Sequence, residues 1–167
     1  MNRSAELKRT AFVTTKPRKG SRRWYVDKLD AAVRRIVKLQ EPGCITCDEV
    51  DPRELECSHF FRRGFEPTRF DVAPDGNNHT QCRLCNRKHG KDRRPYEGWF
   101  LKRFGPVRGP AIIKSLDERA HSDRQFTPIE LEELLRDVTE KLKALTATKR
   151  AAAVFMSRPY DDNDLPF

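Results

Sequence analysis

Five cysteines occur in the chain, and four of them form two Cys-x-x-Cys pairs: Cys44 with Cys47, and Cys82 with Cys85. Each pair presents two thiolates on one tight turn, and two pairs supply the four sulfur ligands of a tetrahedral structural zinc ion. Because protein fills all four positions, such an ion stabilises the fold and takes no part in catalysis. The spacing therefore predicts a structural Zn²⁺ bound by these four residues, with Cys57 left over as a buried thiol.

Three residues between and after the cysteine pairs could support hydrolytic chemistry: His59, Asn77 and Asn86. An imidazole with an ordinary pKa of about 6.5 can accept a proton from water at neutral pH, and a side-chain hydrogen bond from Asn77 could fix its tautomer. When water attacks a phosphodiester, charge builds up on the phosphate oxygens, and a hard divalent ion held by oxygen ligands neutralises it. Phosphodiester hydrolysis by these residues would therefore require Mg²⁺ or Mn²⁺.

Three short segments carry a resemblance to a known family. They are Cys-Ile-Thr-Cys at 44–47, Ser58-His59-Phe60, and Asn77-Asn-His-Thr-Gln-Cys-Arg-Leu-Cys-Asn86. Together they resemble the NinG/Rap family of lambdoid phage recombination nucleases and, more distantly, the phage endonuclease VII group of the HNH superfamily, from around Leu29 to Leu116. The resemblance implies an α+β fold with a small zinc-stapled ββα-metal (HNH) core and flanking helices. It also implies that His59 activates water, that Asn77 orients this histidine, and that Asn86 ligates the catalytic metal.

The catalytic metal site departs from the endonuclease VII pattern, which has Asp directly before the catalytic histidine where this chain has Ser58. A neutral hydroxyl is a poorer ligand than a carboxylate. Glu56 could compensate, because period-two alternation places it on the same strand face as Ser58. His89 could also compensate, since it follows Asn86 by three residues on a predicted helix. We therefore expect the divalent ion among Asn86, His89, Ser58 and Glu56, with His89 slightly favoured over Glu56.

The chain is basic, with 34 Lys and Arg against 25 Asp and Glu and a net charge of +9. This balance predicts a polyanionic partner. Phosphate contacts carry affinity without sequence information, and no segment has the pattern of a base-reading helix, so we expect recognition of DNA shape. The resemblance implies branched recombination intermediates, such as Holliday junctions and D-loops. The predicted DNA-binding residues are Arg62, Arg63, Arg69, Arg83, Arg87, Lys88, Lys91, Arg93 and Arg94.

Composition predicts one small domain with appendages. Of the 167 residues, 37% are apolar and 35% charged, so the apolar core must be small, and a metal staple would offset this. No apolar run is long enough to span a membrane or to form a signal peptide, which predicts a cytoplasmic protein. We predict a basic flexible arm at 1–23, a zinc-bound nuclease core at 24–104, a helical extension at 105–150 and an acidic tail at 151–167.

Periodicity and turn signals predict the elements that position these residues. Apolar residues at helical spacing predict a helix from Trp24 to about Leu39, and strand character at Leu55–Phe61 predicts a hairpin with a long loop. A capping box, Thr127-Pro-Ile-Glu130, opens a C-terminal helix. Further helical segments are predicted just beyond Cys85, at Pro95–Phe104 and at Ala111–Ala120.

The predicted C-terminal helix carries an apolar stripe that could pack on the core or pair two protomers. Core packing is favoured. Symmetric cutting of a junction would nevertheless need two active sites, so a homodimer through these helices is also considered. The stripe consists of Leu131, Leu134, Leu135, Val138, Leu142 and Leu145.

The acidic tail resembles the C-terminal tip of bacterial single-stranded DNA-binding proteins, which would let it dock on host proteins that read that tip. A solvated acidic end that screens the basic groove is the alternative. The tail residues concerned are Asp161, Asp162, Asp164 and Phe167. For His79 the sequence allows two roles: it could line the wall of the active site, or it could pack in the core.

Two other functions fit the same residues. A noncatalytic zinc-dependent DNA-binding or adaptor protein would keep the fold and lack the catalytic metal because of Ser58. An RNA-directed nuclease, or an HNH enzyme that reads sequence, would use the same chemistry on another substrate. Competition among branched DNA, linear DNA and RNA separates these possibilities.

Overall fold

The computed structural model describes the backbone of residues 16–156 and the side chains of residues 16–153. Residues 1–15 of the predicted arm lie outside this part. So do the tail residues predicted to bind host proteins, Asp161, Asp162, Asp164 and Phe167. In the described part, no helix is long and apolar enough to cross a membrane. The elements are α1 (Arg22–Gln40), β1 (Leu55–His59), α2 (Glu66–Arg69), β2 (Asn78–Cys82), α3 (Arg83–His89), α4 (Arg94–Ala120) and α5 (Pro128–Met156).

β1 and β2 form a two-stranded antiparallel sheet in which Leu55 lies opposite Cys82 and His59 lies opposite Asn78. α3 follows β2 directly, so two strands and a helix come in the predicted order. This confirms the α+β class. Residues 60–77 connect the strands and contain the one-turn helix α2. The sheet therefore carries His59 at one end and a cysteine of the predicted zinc site at the other.

α1 agrees with the helix predicted from the apolar spacing. It begins after Ser21, whose hydroxyl accepts a hydrogen bond from the Trp24 amide (3.3 Å), as an N-cap residue does. No acidic residue lies in its first turn. The buried face of α1 includes Leu29, Val33, Ile36 and Val37, which contribute to the larger of two apolar cores.

α5 packs along α1 and completes this core. Its capping box is present, because Thr127 N donates to Glu130 Oε2 (2.7 Å) and Glu130 N donates to Thr127 Oγ1 (3.3 Å). Leu131 and Val138 are buried against α1, and the rest of the predicted stripe packs in or beside the same core. The stripe is therefore used inside one chain, so a homodimer would need another surface.

α4 joins two segments that the sequence predicted as separate helices. They meet at a kink at Gly105, whose φ of 83° favours glycine. Beyond the kink, a Cβ atom added to Gly109 would come within 3.1 Å of Phe100 O and Leu101 Cα. Phe100, before the kink, and Leu116, after it, both belong to the smaller of the two apolar cores. The predicted boundary at 104/105 thus falls at this kink, and residues on both sides of it build common cores.

If α5 is part of the core, shortening one of its buried leucines must destabilise the whole domain. We expect Leu131→Ala to lower the free energy of unfolding by about 2–5 kcal/mol, because Leu131 is fully buried against α1. Ile129→Ala is the matched control, since Ile129 is 71% exposed two residues away, and it should cost less than about 0.5 kcal/mol. Denaturant unfolding measures both. Equal effects, or a separate transition for α5 alone, would contradict the shared core.

Candidate functional site

The four paired cysteines lie together at the Cys82 end of the sheet. Their sulfur atoms all lie within 4.8 Å of one another, and Cys47 Sγ is 3.8 Å from Cys82 Sγ. A zinc–sulfur bond of about 2.3 Å in a tetrahedron places the sulfurs about 3.8 Å apart. The four thiols therefore fit one zinc ion, as the sequence predicted.

Local backbone hydrogen bonds hold the first cysteine pair against the sheet. Cys44 N donates to Glu49 O (2.8 Å), which closes the turn, and Ile45 N donates to Thr80 O (2.9 Å) on β2. The second pair spans the junction of β2 and α3, where Cys85 N donates to Cys82 Sγ (3.4 Å). The zinc site thus joins the segment after α1 to the hairpin and to α3.

Cys57 lies outside this cluster, as predicted. It is half-buried on β1 and packs beside the core between α1 and α5. Burial raises the pKa of its thiol from 9.0 to about 12. Cys57 is therefore a protonated packing residue at neutral pH.

Ser58 was expected to be a candidate metal ligand, and the structure contradicts this. Its side chain is buried, and its hydroxyl donates to Gln81 Oε1 (2.6 Å) on β2. Gln81 Nε2 in turn donates to Thr46 Oγ1 (3.1 Å), which is 3.3 Å from Cys44 Sγ. Ser58 therefore connects β1 to the cysteine cluster, because its hydroxyl is engaged by Gln81.

Asn77 does not make the expected hydrogen bond to His59. Its Oδ1 accepts from Phe61 N (2.7 Å) and its Nδ2 donates to Phe61 O (3.0 Å), while Phe60 N donates to Asn77 O (2.8 Å). The fully buried amide therefore clamps the two ends of the 60–77 connection together. It holds the backbone that directly follows His59, and it does not fix the tautomer of the His59 ring.

His79, which the sequence left open, has a packing role. It is buried, and its ring hydrogen-bonds Glu41 Oε1 through Nδ1 (2.6 Å) and Gly76 O through Nε2 (3.1 Å). The ring also lies 4.3 Å from the Trp99 ring. It thereby ties the end of α1, the 60–77 connection and α4 to one another.

His59 faces a cleft of about 590 Å³ between α1, β1 and α3, which we call the His59 cleft. The imidazole is half-buried and makes no hydrogen bond with any residue in the described part of the chain. Its pKa is lowered from 6.5 to about 4, first by burial and then by the Arg63 cation, while Asp30 acts in the opposite direction. The ring is therefore neutral at physiological pH and has a free lone pair.

Three other predicted residues line the same cleft: Glu56, Asn86 and His89. Asn86 Nδ2 donates to Glu56 Oε2 (2.9 Å), which brings the α3 amide to the β1 carboxylate. His89 Nε2 donates to Phe60 O (3.1 Å), and its Nδ1 is buried with no partner in the described part. Burial lowers the pKa of His89. A neutral ring with one nitrogen fixed on a carbonyl and the other free matches the usual arrangement of a metal-binding histidine.

Cations surround the His59 cleft. Arg62, Arg63 and Arg83 were predicted, and they line it. Arg34 and Lys38 line it too, and the sequence analysis missed them. They are neighbours on the polar face of α1, but no local motif points to them, because only the packing of α1 on β1 brings them to the cleft.

The other predicted DNA-binding residues divide into three groups. Arg69 is engaged inside the domain, since it donates to both carboxylate oxygens of Asp30 (3.0 and 2.6 Å). Arg87 and Lys88 are exposed on α3 and line neither of the two large clefts. Lys91, Arg93 and Arg94 line a neighbouring cleft of about 710 Å³, which we call the Arg93 cleft.

The zinc assignment predicts a difference between two cysteine variants. Cys85→Ser removes one of the four clustered sulfurs, whereas Cys57→Ser removes a thiol outside the cluster. We expect the wild type and Cys57→Ser to hold one zinc ion per chain, and Cys85→Ser to lose most of its zinc and melt at lower temperature. Elemental analysis and thermal unfolding with and without a chelator measure this. Equal zinc contents, or chelation without effect on melting, would refute the assignment.

The low pKa of His59 predicts that its ring stays neutral well below the ordinary value. Ring resonances assigned by NMR should show no protonation from about pH 8 down to about pH 5.5. Arg63→Ala should move the titration upward, because it removes the cation that disfavours the imidazolium. Arg87→Ala, which removes a cation from outside the cleft, should leave it unchanged. A wild-type midpoint near 6.5 would contradict the burial of this ring.

Comparison with known proteins adds a family. A family model described as "Bacteriophage Lambda NinG protein" matches residues 2–148, which include both cysteine pairs, His59 and α1 to α4. No curated protein and no solved structure matches the chain. The match confirms the resemblance seen in the sequence and extends it on both sides of Leu29–Leu116. Since it covers well over half of the chain, the protein belongs to the NinG family.

Proposed function

We propose that this NinG-family protein is an endonuclease that hydrolyses phosphodiester bonds in branched DNA, with His59 as the general base and a divalent metal ion as cofactor. The observation that carries the proposal is the state of His59 in its cleft. A neutral imidazole, with no hydrogen-bond partner among residues 16–153, faces a cleft surrounded by cations. This combination suits proton abstraction from a water molecule beside a bound phosphate.

The environment of His59 suits a base that works when DNA is bound. In the free protein, burial and then the Arg63 cation lower the pKa of the ring. A phosphate that enters the cleft would offset this cation and raise the pKa towards neutrality, so the ring becomes a stronger base beside its substrate. The Asn77 clamp supports this role by fixing the backbone at Phe60 and Phe61, directly after the histidine.

Glu56, Asn86 and His89 are the residues that would hold the catalytic metal. They provide a carboxylate and an amide oxygen, which suit Mg²⁺ or Mn²⁺, and an imidazole nitrogen without a partner in the described part, which suits Mn²⁺ better than Mg²⁺. Such an ion, when bound, neutralises charge that builds up on the phosphate during attack. Asn86 can keep its oxygen available, because its nitrogen is the atom bonded to Glu56.

The cations around the cleft support binding to the DNA backbone. Arg34 and Lys38 lie on α1, Arg62 and Arg63 follow β1, and Arg83 opens α3. Contacts of this kind hold phosphates without reading bases. The proposed substrates, Holliday junctions and D-loops, come from the resemblance to lambdoid phage recombination nucleases, and shape-based binding is compatible with them.

Cleavage of a labelled four-way junction beside a matched linear duplex tests the function. With Mg²⁺ or Mn²⁺ we expect the wild type to cut the junction and to spare the duplex. His59→Ala should lower the rate by about 10²- to 10⁴-fold, as for loss of a general base, while junction binding stays unchanged. His121→Ala is the control, because this exposed histidine lines neither cleft.

Two outcomes would overturn the proposal. If the wild type binds the junction and cuts nothing with either metal, the chain is the noncatalytic DNA-binding adaptor. If it cuts linear duplex or RNA as fast as the junction, the branched substrate is wrong and His59 serves a different nuclease.

The metal assignment predicts a difference between two neighbouring carboxylates. Glu56 and Glu54 both lie near Arg83 (3.6 and 3.7 Å), but of the two only Glu56 lines the His59 cleft. We expect Glu56→Gln to raise the Mn²⁺ concentration needed for half-maximal cleavage by roughly tenfold or more. Glu54→Gln should leave it unchanged. A metal titration of the cleavage rate measures this, and equal responses would remove Glu56 from the metal site.

A further inference from the structure

We propose that the Arg93 cleft binds one unpaired nucleobase of a branched DNA, next to the phosphate held in the His59 cleft. The inference deepens the proposed function and rests on its DNA-binding part. It assigns a specific ligand, a nucleobase that has left the double helix, to a second cleft. It also gives a physical reason for preferring a branch point over a continuous duplex.

The two clefts are adjacent and share part of their walls. Arg62, His89 and Gly90 line both of them, so a ridge formed by the start of the 60–77 connection and the end of α3 separates them. A DNA strand with one phosphate beside His59 would therefore bring its neighbouring nucleotide to this ridge. The Arg93 cleft, at about 710 Å³, lies in the size range of small-ligand pockets.

The wall of the Arg93 cleft places an exposed guanidinium on two aromatic rings. Phe60 and Phe61 pack edge to face with ring centroids 5.0 Å apart and are almost fully buried. The exposed Arg93 guanidinium lies over both rings, with Cζ 4.9 Å from the Phe61 centroid and 5.8 Å from the Phe60 centroid. In the described part, no carboxylate lies within ion-pair distance of Arg93. A planar cation resting on aromatic rings can stack on a base.

The charged groups of the cleft include one that can hydrogen-bond a base. The guanidinium of Arg94 is neutralised by Asp92, with Nε and Nη2 each 2.9 Å from a carboxylate oxygen. Glu97 adds a second carboxylate to the lining. The Glu97 carboxylate can accept a hydrogen bond from an N–H group of a base, and Lys91 adds a cation to the same lining. Arg62, on the ridge, remains in place for the phosphate.

This arrangement discriminates by DNA structure. In a continuous duplex the bases are paired and stacked, so filling the cleft would require a nucleotide to be pulled out, at a cost of a few kcal/mol. A branch point with a single-stranded arm, such as a flap or a D-loop, offers a base that has already lost these contacts. The cleft therefore adds affinity for branched DNA without reading its sequence.

The test measures binding to a flapped duplex whose nucleotide at the branch point is either thymine or an abasic residue. Ca²⁺ replaces the catalytic metal, so binding is measured without cleavage. We expect the wild type to bind the thymine form more tightly by roughly 5- to 150-fold, the range of one base stack. Fully paired linear duplexes with thymine or another base at the same position are the control, and should bind equally.

Three variants separate stacking from charge. Arg93→Ala and Arg93→Lys should both lose the preference for the thymine form, because neither keeps the planar guanidinium. Arg94→Ala removes the same charge one residue away from a group already paired with Asp92, and it should keep the preference. Zinc content and thermal unfolding confirm that each variant is folded.

The inference is overturned if the wild type binds the thymine and abasic forms equally. It is also overturned if Arg93→Ala keeps the full preference, or if Arg93→Lys behaves like the wild type, since charge alone would then explain the site. Cleavage is measured separately on the thymine form with Mg²⁺. Base-dependent binding without cleavage refutes the nuclease and leaves the nucleobase site standing, whereas cleavage without base dependence does the reverse.

Discussion

The site depends on one short hairpin that must be fixed at both ends. A hairpin of two five-residue strands has only marginal stability on its own. The 18-residue connection between the strands adds an entropic cost to bringing them together. At one end the cysteine cluster joins Cys82 to the segment after α1. At the other the Asn77 amide bonds both backbone groups of Phe61. His59 lies between these two constraints, so its position is set by the backbone on either side.

The two apolar cores place the rest of the site on this hairpin. The core between α1 and α5 packs α1 across the sheet and brings Arg34 and Lys38 to the cleft. The second core, built from α4 and the phenylalanines after β1, supports the other side of the ridge. Burial that stabilises the fold also lowers the pKa of His59. The same packing thus produces the stability and the neutral base.

Charge is distributed so that some cations serve the fold and others face solvent. Arg69 is held by Asp30, and Arg94 is held by Asp92. Arg62 and Arg93 have no carboxylate within ion-pair distance in the described part. An arginine that is paired with a carboxylate is less available to bind a polyanion. Arg62 and Arg93 line the two clefts. A count of basic residues cannot make this distinction.

The sequence alone determined the features that depend on neighbouring residues. The two Cys-x-x-Cys turns, the Thr127–Glu130 capping box and the apolar spacing of α1 are local signals, and the structure contains all of them. Family membership also followed from short segments. Tertiary structure decided the features that depend on partners far along the chain. Ser58 bonds Gln81 rather than a metal, because strand pairing brings Gln81 within hydrogen-bond distance. Asn77 bonds Phe61 rather than His59, because closure of the 60–77 connection brings Phe61 close to it. Arg34 and Lys38 line the cleft although the sequence did not predict it, and Arg69 binds Asp30 although the sequence predicted that it would bind DNA. Helix packing sets these distances, and no sequence spacing encodes them.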